Sequence, residues 1–307
     1  MTAPRKLILV LAGPTASGKT DLAEGLAKIL PVRLLSADSQ QVYRGMDIGT
    51  CKPTMEARKD WGLVDLADPG EPFSAGSFSR AAAELCRLAW ADGRIPLLCG
   101  GTGLYLKALL EGLAEIPPIP VEVRQGLEEQ YALNGLEPLL DRLDDVDPDL
   151  AAGVDRANPR RVLRALEVFE ATGKPLSAWQ AAETRPALQP DAALWLGLDP
   201  GKDALARRIA QRVDACLSQG WLEEVRTLRA RHGADVLRRS AAIGYPELLG
   251  HLEGHCSLAE ARDAVLRRTR GYARRQRTWF RAVPALRWSA EAPELAALAQ
   301  TFVHKEE

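Results

Sequence analysis

The chain has 307 residues, a net charge of −1 and 46% apolar residues, enough for one large domain or two smaller ones around a substantial core. No run approaches the roughly 18 apolar residues of a membrane span, so no membrane partner is expected. Cys51, Cys86, Cys99, Cys216 and Cys256 show neither C-x-x-C spacing nor a disulfide framework. Arg5-Lys6 leads straight into an apolar strand, leaving no room for a signal peptide, and a reducing cytoplasm is the expected setting.

The first predicted element is a buried strand over Leu7–Ala12. It is followed by Gly13-Pro14-Thr15-Ala16-Ser17-Gly18-Lys19-Thr20, which fits G-x-x-x-x-G-K-[ST] without a mismatch, and then by an amphipathic helical pattern. Glycines allow successive backbone N–H groups to wrap phosphate oxygens, and the helix N-terminus adds positive partial charge. Lys19 supplies a point charge, and the Thr20 hydroxyl is placed for Mg²⁺. A diphosphate or triphosphate ligand is therefore expected, its carrier undetermined.

A second strand, Val32–Ser36, leads into Ala37-Asp38-Ser39-Gln40-Gln41-Val42-Tyr43 and then Asp47-Ile48-Gly49-Thr50-Cys51-Lys52-Pro53. By local sequence Asp38 suits a helix cap as well as a catalytic role. A third strand over 95–99 opens a second glycine-rich turn, Gly100-Gly101-Thr102-Gly103-Leu104-Tyr105. Strands alternating with helical patterns give a P-loop NTPase-like α/β fold, a parallel sheet flanked by helices. In such sheets ligands gather at the carboxyl ends of strands, where each of these polar clusters falls.

Pro117-Pro118-Ile119-Pro120 breaks the rhythm, and the pattern is helical from there to about Gln180. Ala192–Leu198 reads as a return to the sheet, with helices to the end. The expected division is a core of 1–118 and 188–307 with a helical insertion of 119–187. Charge is distributed unevenly. Residues 137–155 hold seven carboxylates and one arginine, read as a solvated face, whereas 262–287 hold nine arginines and one aspartate. On a helix, Arg267, Arg270, Arg274, Arg277 and Arg281 fall on one side, with Val265, Thr269, Tyr272, Gln276, Trp279 and Val283 opposite. Like charges at i,i+4 repel, so this concentration calls for an anionic partner, and nucleic-acid phosphate is the commonest. A second basic knot, Arg156, Arg160, Arg161 and Arg164, closes the insertion.

The P-loop, the 38–43 and 47–53 segments, the 100–105 turn, Asn158-Pro159-Arg160-Arg161, Ile243-Gly244-Tyr245 and Arg274-Arg275-Gln276-Arg277-Thr278-Trp279 occur in one ordered set. That set resembles the bacterial tRNA dimethylallyltransferases, also called tRNA isopentenyltransferases, over nearly the whole chain. Two departures are Cys51, where the family commonly has alanine, and Arg277, where it commonly has an apolar residue.

The resemblance implies that residues 13–20 hold dimethylallyl diphosphate with Mg²⁺. The prenyl group would go to N6 of the adenosine 3′-adjacent to the tRNA anticodon. It implies catalytic roles for Asp38, Thr102, Arg208 and Lys19, with Asp38 orienting the amine and taking its proton. It also implies tRNA contacts from Asp38, Ser39, Gln40, Gln41, Thr102, Arg124, Arg160, Arg161, Arg164, Gly244, Tyr245, Arg274, Arg275, Gln276, Thr278 and Trp279. By local sequence Arg208 is one arginine of an amphipathic helix, and Tyr245 suits the core as well as an RNA contact. A base-flipping monomer is expected. The rival readings are a small-metabolite kinase, a prenyltransferase of free adenine nucleotides and a non-catalytic RNA-binding protein.

Overall fold

The computed structural model describes residues 5–306. Two compact units share the chain: one runs up to Leu110 and resumes at Ala187, and the other is Glu111–Pro186.

In the first unit the elements run β1 (Leu7–Ala12), α1 (Lys19–Ala27), β2 (Val32–Ser36), β3 (Trp61–Gly62), α2 (Ala75–Ala91), β4 (Ile95–Gly100) and α3 (Gly103–Leu110). The second unit contributes α4 (Val121–Asn134), α5 (Glu137–Val146), α6 (Pro148–Ala151), α7 (Pro159–Thr172) and α8 (Leu176–Gln180). The first unit then resumes with β5 (Ala192–Leu198), α9 (Lys202–Ser218), α10 (Trp221–His232), α11 (Ala234–Arg238), α12 (Tyr245–Leu252), α13 (Leu258–Arg281), β6 (Leu286–Ser289) and α14 (Ala292–Glu306).

The six strands form one sheet in the order β3-β2-β4-β1-β5-β6, and every pairing is parallel. β1 and β4 are buried at every position because helices cover both faces, which is why they read as unbroken apolar runs. One face carries Leu22, Ala23 and Leu26 of α1 with Leu295, Ala299 and Val303 of α14. The other carries Phe78 and Ala82 of α2, Leu106 of α3 and Phe280 of α13. The chain passes from β1 to β2 across the place later filled by β4, and goes the opposite way to β5. The reversal places a crevice at the carboxyl end of β1, where the P-loop begins. A further core joins α9, α10, α12 and α13 through Val213, Trp221, Tyr245 and Val265. Among the described residues no helix is long and apolar enough to cross a membrane.

The sequence expectation missed β3 and β6. β3 has two residues, and β6 is an edge strand whose Arg287 and Trp288 face water, so neither shows an apolar run. The insertion also begins earlier than expected. Ile116 and Ile119 pack into the core of the second unit around Leu143, Val162 and Leu166, so the proline segment belongs to it. Its two chain ends are joined by the Thr184 hydroxyl donating to the Glu111 carbonyl at 2.7 Å.

Within the second unit the acidic stretch is more than a solvated face. Asp147 is buried; its carboxylate accepts the Leu150 N–H at 3.2 Å as a helix cap and the Ser177 N–H at 2.9 Å.

Candidate active site at the carboxyl end of the sheet

The P-loop is set by backbone geometry that its sequence permits. Gly13 and Gly18 have φ of +145° and +97°, and Ala16 lies at +63°. A Cβ on Gly13 would stand 2.4 Å from the Leu198 carbonyl oxygen of β5, so only glycine brings the loop this close to the sheet. The buried Ser17, with Lys19 and Thr20, follows at the start of α1.

Lys19 Nζ donates to the Pro14 carbonyl at 2.7 Å and to Ser17 Oγ at 3.4 Å, which folds the ammonium back over the loop. Burial pushes its pKa down to about 8, and Arg212 adds to the effect, while Cys99 and Asp38 oppose it. Two arginines of α9, one turn apart, reach the same loop. Arg208 donates to the Ser17 carbonyl at 2.8 Å, and Arg212 donates to Thr15 Oγ1 at 3.1 Å. Arg208 was singled out by resemblance alone; Arg212 was not singled out, because nothing local distinguishes it from Arg207.

Two cavities meet at this loop. The larger, about 970 Å³, is lined by residues 16–20 with Arg208 and Arg212. The smaller, about 80 Å³, is lined by Thr15, Asp38, Gln41, Gly101 and Gln276. Lys19, Thr20, Cys51 and Arg212 line both, so they form the common wall. Asp38 therefore faces the cavity on one side of Lys19, and the phosphate cradle opens on the other.

Asp38 Oδ1 accepts the Gln40 N–H at 2.8 Å, an Asx turn that fixes the carboxylate at the end of β2. Thr102 Oγ1 accepts the Ser39 N–H at 3.0 Å, binding the β2 and β4 turns together. Gly100 makes that approach possible, since a Cβ there would lie 2.2 Å from the Ala37 carbonyl oxygen. Gln40 Nε2 donates to Ser39 Oγ at 3.1 Å, and Gln40 Oε1 is buried without a partner among the described residues. Gln41 accepts from the Ser36 hydroxyl at 2.8 Å and donates to the Thr50 and Cys51 carbonyls, each at 3.2 Å. Tyr272 of α13 borders this cluster. Burial and then the Asp38 charge raise its phenol, against hydrogen bonds to Thr102 and Gln276.

The 47–53 turn is held from α10. Glu224 accepts the backbone N–H groups of Asp47, Ile48 and Gly49 at 2.9, 2.7 and 3.2 Å. Lys52 is fully enclosed and donates to Asp47 at 2.8 Å and Asp65 at 2.6 Å. Burial works against the Asp47 charge, but hydrogen bonds from Lys52 and Arg58 outweigh it and hold the carboxyl below its ordinary value. Lys52→Met removes the enclosed cation and leaves Arg58, at 2.9 Å from Asp47 and 3.2 Å from Asp65, as the remaining partner of both carboxylates. Each keeps about a third of its surface in water, 33% and 31%. We therefore expect a loss near the lower end of the buried-pair range, about 3 kcal/mol, read as a lower urea midpoint at unchanged slope.

Several sequence expectations are corrected here. Tyr245, expected to touch RNA, is wholly buried, and its hydroxyl donates to Glu224 at 2.7 Å. Gly244 is buried against Trp221, where a Cβ would approach to 2.0 Å, and so offers RNA no surface either. Gln276 is also buried. It accepts the Thr15 N–H at 2.8 Å and donates to the Gly101 carbonyl at 2.9 Å, tying the P-loop to the 100–105 turn. On α13 the inward stripe continues from Gln276 to Phe280, one residue past the expected Trp279. Trp279 is 41% exposed and closes over Gly103. Arg277 leaves the basic face and pairs with Asp199 at 2.7 Å. Arg267, Arg270, Arg274, Arg275, Arg281 and Thr278 remain exposed, and Arg267, Arg270, Arg274 and Arg281 have no carboxylate partner among the described residues.

In the second unit, Arg124 of α4 is largely exposed and pairs with Glu128 at 2.9 Å. Arg156 and Arg164 are likewise committed, to Asp144 at 2.7 Å and Glu167 at 3.2 Å. Arg160 and Arg161 at the start of α7 stay exposed, without an ion pair among the described residues.

A parallel sheet with a glycine-rich loop, two converging arginines and a carboxylate across the loop lysine defines a P-loop-like α/β protein with a polar crevice at the carboxyl end of its sheet. Comparison with known proteins narrows the class. Residues 41–283 match the family model described as IPP transferase. The chain is 45% identical to the tRNA dimethylallyltransferase of Geobacter sulfurreducens, over 92% of this chain and 91% of that one. It superposes on the crystal structure of the tRNA isopentenylpyrophosphate transferase of Bacillus halodurans with a TM-score of 0.68 at 34% identity, covering 98% and 97% of the two chains. A eukaryotic dimethylallyltransferase described as acting on tRNA shares the fold, with a TM-score of 0.73 at 23% identity over 97% of this chain and 80% of that one. The chain belongs to the IPP transferase family.

Proposed function

We propose that this chain transfers a dimethylallyl group from dimethylallyl diphosphate to N6 of the adenosine 3′-adjacent to the anticodon of tRNA, releasing diphosphate. One observation carries the reading: Lys19, Thr20 and Arg212 form the wall shared by the phosphate cavity and the smaller cavity that holds Asp38. A leaving group on one side and an acceptor amine on the other then meet across that wall. The names of the similar proteins, tRNA dimethylallyltransferase and tRNA isopentenylpyrophosphate transferase, support the same chemistry.

Each residue has a defined task in this reading. As the allylic C–O bond breaks, negative charge grows on the departing oxygens, and Lys19, Arg208, Arg212 and the free P-loop amides are aimed at it. Asp38, fixed by its turn, accepts a hydrogen bond from the exocyclic amine and takes its proton as the C–N bond forms. The Thr102 hydroxyl is held at the same turn, where it accepts the N–H of Ser39, the residue after Asp38. An adenosine stacked in an anticodon loop cannot reach a half-enclosed carboxylate, so the nucleotide must leave the stack to react.

Mg²⁺ fits a site of this kind. Thr20 offers one hydroxyl at the loop, and no group of three or more His, Cys, Asp or Glu residues among the described residues forms a cage. That donor set suits an ion held chiefly by substrate phosphate oxygens, where it would supply neutralisation of diphosphate charge.

Exposed Arg270 and Arg274, one turn apart on α13, are the phosphate contacts of this unit in our reading. Replacing both with serine removes two counter-charges, which should flatten the slope of log affinity against log salt by about 1.4–1.8. An unchanged slope in filter binding at several salt concentrations would remove α13 from the tRNA interface. To test the acceptor, labelled dimethylallyl diphosphate is offered with equal concentrations of AMP and unmodified tRNA. Label recovered in tRNA supports the proposal, and label recovered chiefly in AMP would make the chain a prenyltransferase of free nucleotides.

A further inference from the structure

A pair of thiols lies against the phosphate cavity and has no task in prenyl transfer. Cys51 Sγ is 3.6 Å from Cys216 Sγ and receives the Arg212 Nε–H at 2.7 Å. The same guanidinium donates to Thr15 Oγ1 of the P-loop at 3.1 Å and to the Thr50 carbonyl at 3.4 Å. Cys51 lines both cavities and is part-exposed, whereas Cys216 is buried on α9 one turn beyond Arg212. A reagent small enough to enter the cradle therefore meets Cys51 first, with a second sulfur directly behind it. The other three cysteines lack this arrangement, and the Cys86 and Cys99 thiols are pushed up to about 12 by burial.

We infer that Cys51 is a peroxide-reactive modification site, that Cys216 resolves it to a 51–216 disulfide, and that closing this bond frees Arg212 to bind diphosphate more tightly. The hydrogen bond from Cys216, followed by the Arg212 charge, holds the Cys51 thiol well below its ordinary range against the effect of burial. The thiolate neutralises one guanidinium in the cradle. In the first step the thiolate sulfur attacks a peroxide oxygen, the S–O bond forms, the O–O bond breaks and hydroxide leaves. In the second step the Cys216 sulfur attacks the sulfenic sulfur, the S–S bond forms and the S–O bond breaks. The departing hydroxide takes the Cys216 proton as water. Hydrogen peroxide is reduced to one water and one hydroxide, which takes a proton from solvent, and the two sulfurs supply both electrons.

The sulfurs must close from 3.6 Å to the roughly 2.0 Å of a disulfide, a movement of the size that χ1 adjustment supplies. Arg212 then loses its anionic partner while keeping its bonds to Thr15 and Thr50. A diphosphate in the cradle gains an uncompensated positive charge, so its affinity should rise roughly tenfold. The inference rests on the P-loop as an anion site and does not require the acceptor to be tRNA. The oxidised enzyme would hold its diphosphate product longer and turn over more slowly.

The test uses the whole protein and inorganic diphosphate. After peroxide treatment, mass spectrometry of the non-reduced digest should show the peptide of Cys51 linked to that of Cys216, reversibly by dithiothreitol. Calorimetry on the same sample should show diphosphate Kd lowered roughly tenfold and restored on reduction. In Cys216→Ala the reaction should stop at a Cys51 sulfenic acid trapped by dimedone, with no linked peptide. The proposal is overturned if no 51–216 link forms, if dimedone labels a different cysteine, or if the linked protein binds diphosphate no more tightly. All three readouts are independent of prenyl transfer, so they can fail or hold whatever the acceptor proves to be.

Discussion

Asp38→Asn is expected to lower kcat by about 10²–10⁴ while leaving tRNA affinity within about twofold. Asparagine keeps an oxygen that can accept the Gln40 N–H now bonded to Asp38 Oδ1 at 2.8 Å, so the turn at the end of β2 is retained. What it loses is the ability to take a proton. Comparing Asp38→Asn with Asp38→Ala therefore separates base from turn. If the residue is the base, both variants lose turnover to a similar degree in single-turnover assays. If it merely shapes the loop, Asp38→Asn turns over nearly normally, and only Asp38→Ala fails, with tRNA binding falling in parallel.

Lys19→Met should weaken inorganic diphosphate binding by about 10–100-fold, the value of one charge-assisted hydrogen bond inside a part-buried cradle. Methionine retains the length of the side chain but abandons the bond to the Pro14 carbonyl, which the loop tolerates because Gln276 still holds the Thr15 N–H. The same ammonium gives the wild-type protein a pH signature. Its pKa in the free protein is lowered to about 8, and a bound anion raises it again. Affinity for diphosphate is therefore fully expressed below pH 8 and is lost as pH rises through and beyond that value. Calorimetry between pH 7 and 9.5 should show this decline in the wild type and, in Lys19→Met, only the pH dependence that the ionisation of diphosphate itself brings. A parallel decline in the variant would assign the titration to another group.

Much of this site could be read from the chain, and the reasons are local. Residues 13–20 carry their own backbone requirements, and β1 and β4 are buried at every position and β2 and β5 over most of theirs, so their apolar runs are visible without tertiary knowledge. What sequence could not supply were partners distant along the chain. Gln276 falls opposite the arginines of α13 and is a tRNA contact by resemblance, yet it grips a P-loop amide 261 residues away. Glu224 reads as an ordinary acidic residue of α10, yet it accepts three successive amides of the 47–49 turn.

The Trp279 misplacement has a different origin. A stripe at i and i+4 runs from Gln276 to Phe280, and Trp279 at i+3 lies on its margin, where a small angular error decides between core and solvent. Tyr245 follows from the same limit. Its local sequence allowed core or RNA, and only the packing of α10 against α12, with Glu224 waiting for the hydroxyl, decided for the core.

The most direct test of the account is the position of the transferred carbon. The protein is incubated with labelled dimethylallyl diphosphate and unmodified tRNA, the RNA is digested, and the labelled nucleoside is identified and mapped by mass spectrometry. The account predicts N6-(dimethylallyl)adenosine at the position immediately 3′ of the anticodon, with equimolar diphosphate released. Label at another atom or another position, or diphosphate release without label in the RNA, would contradict it.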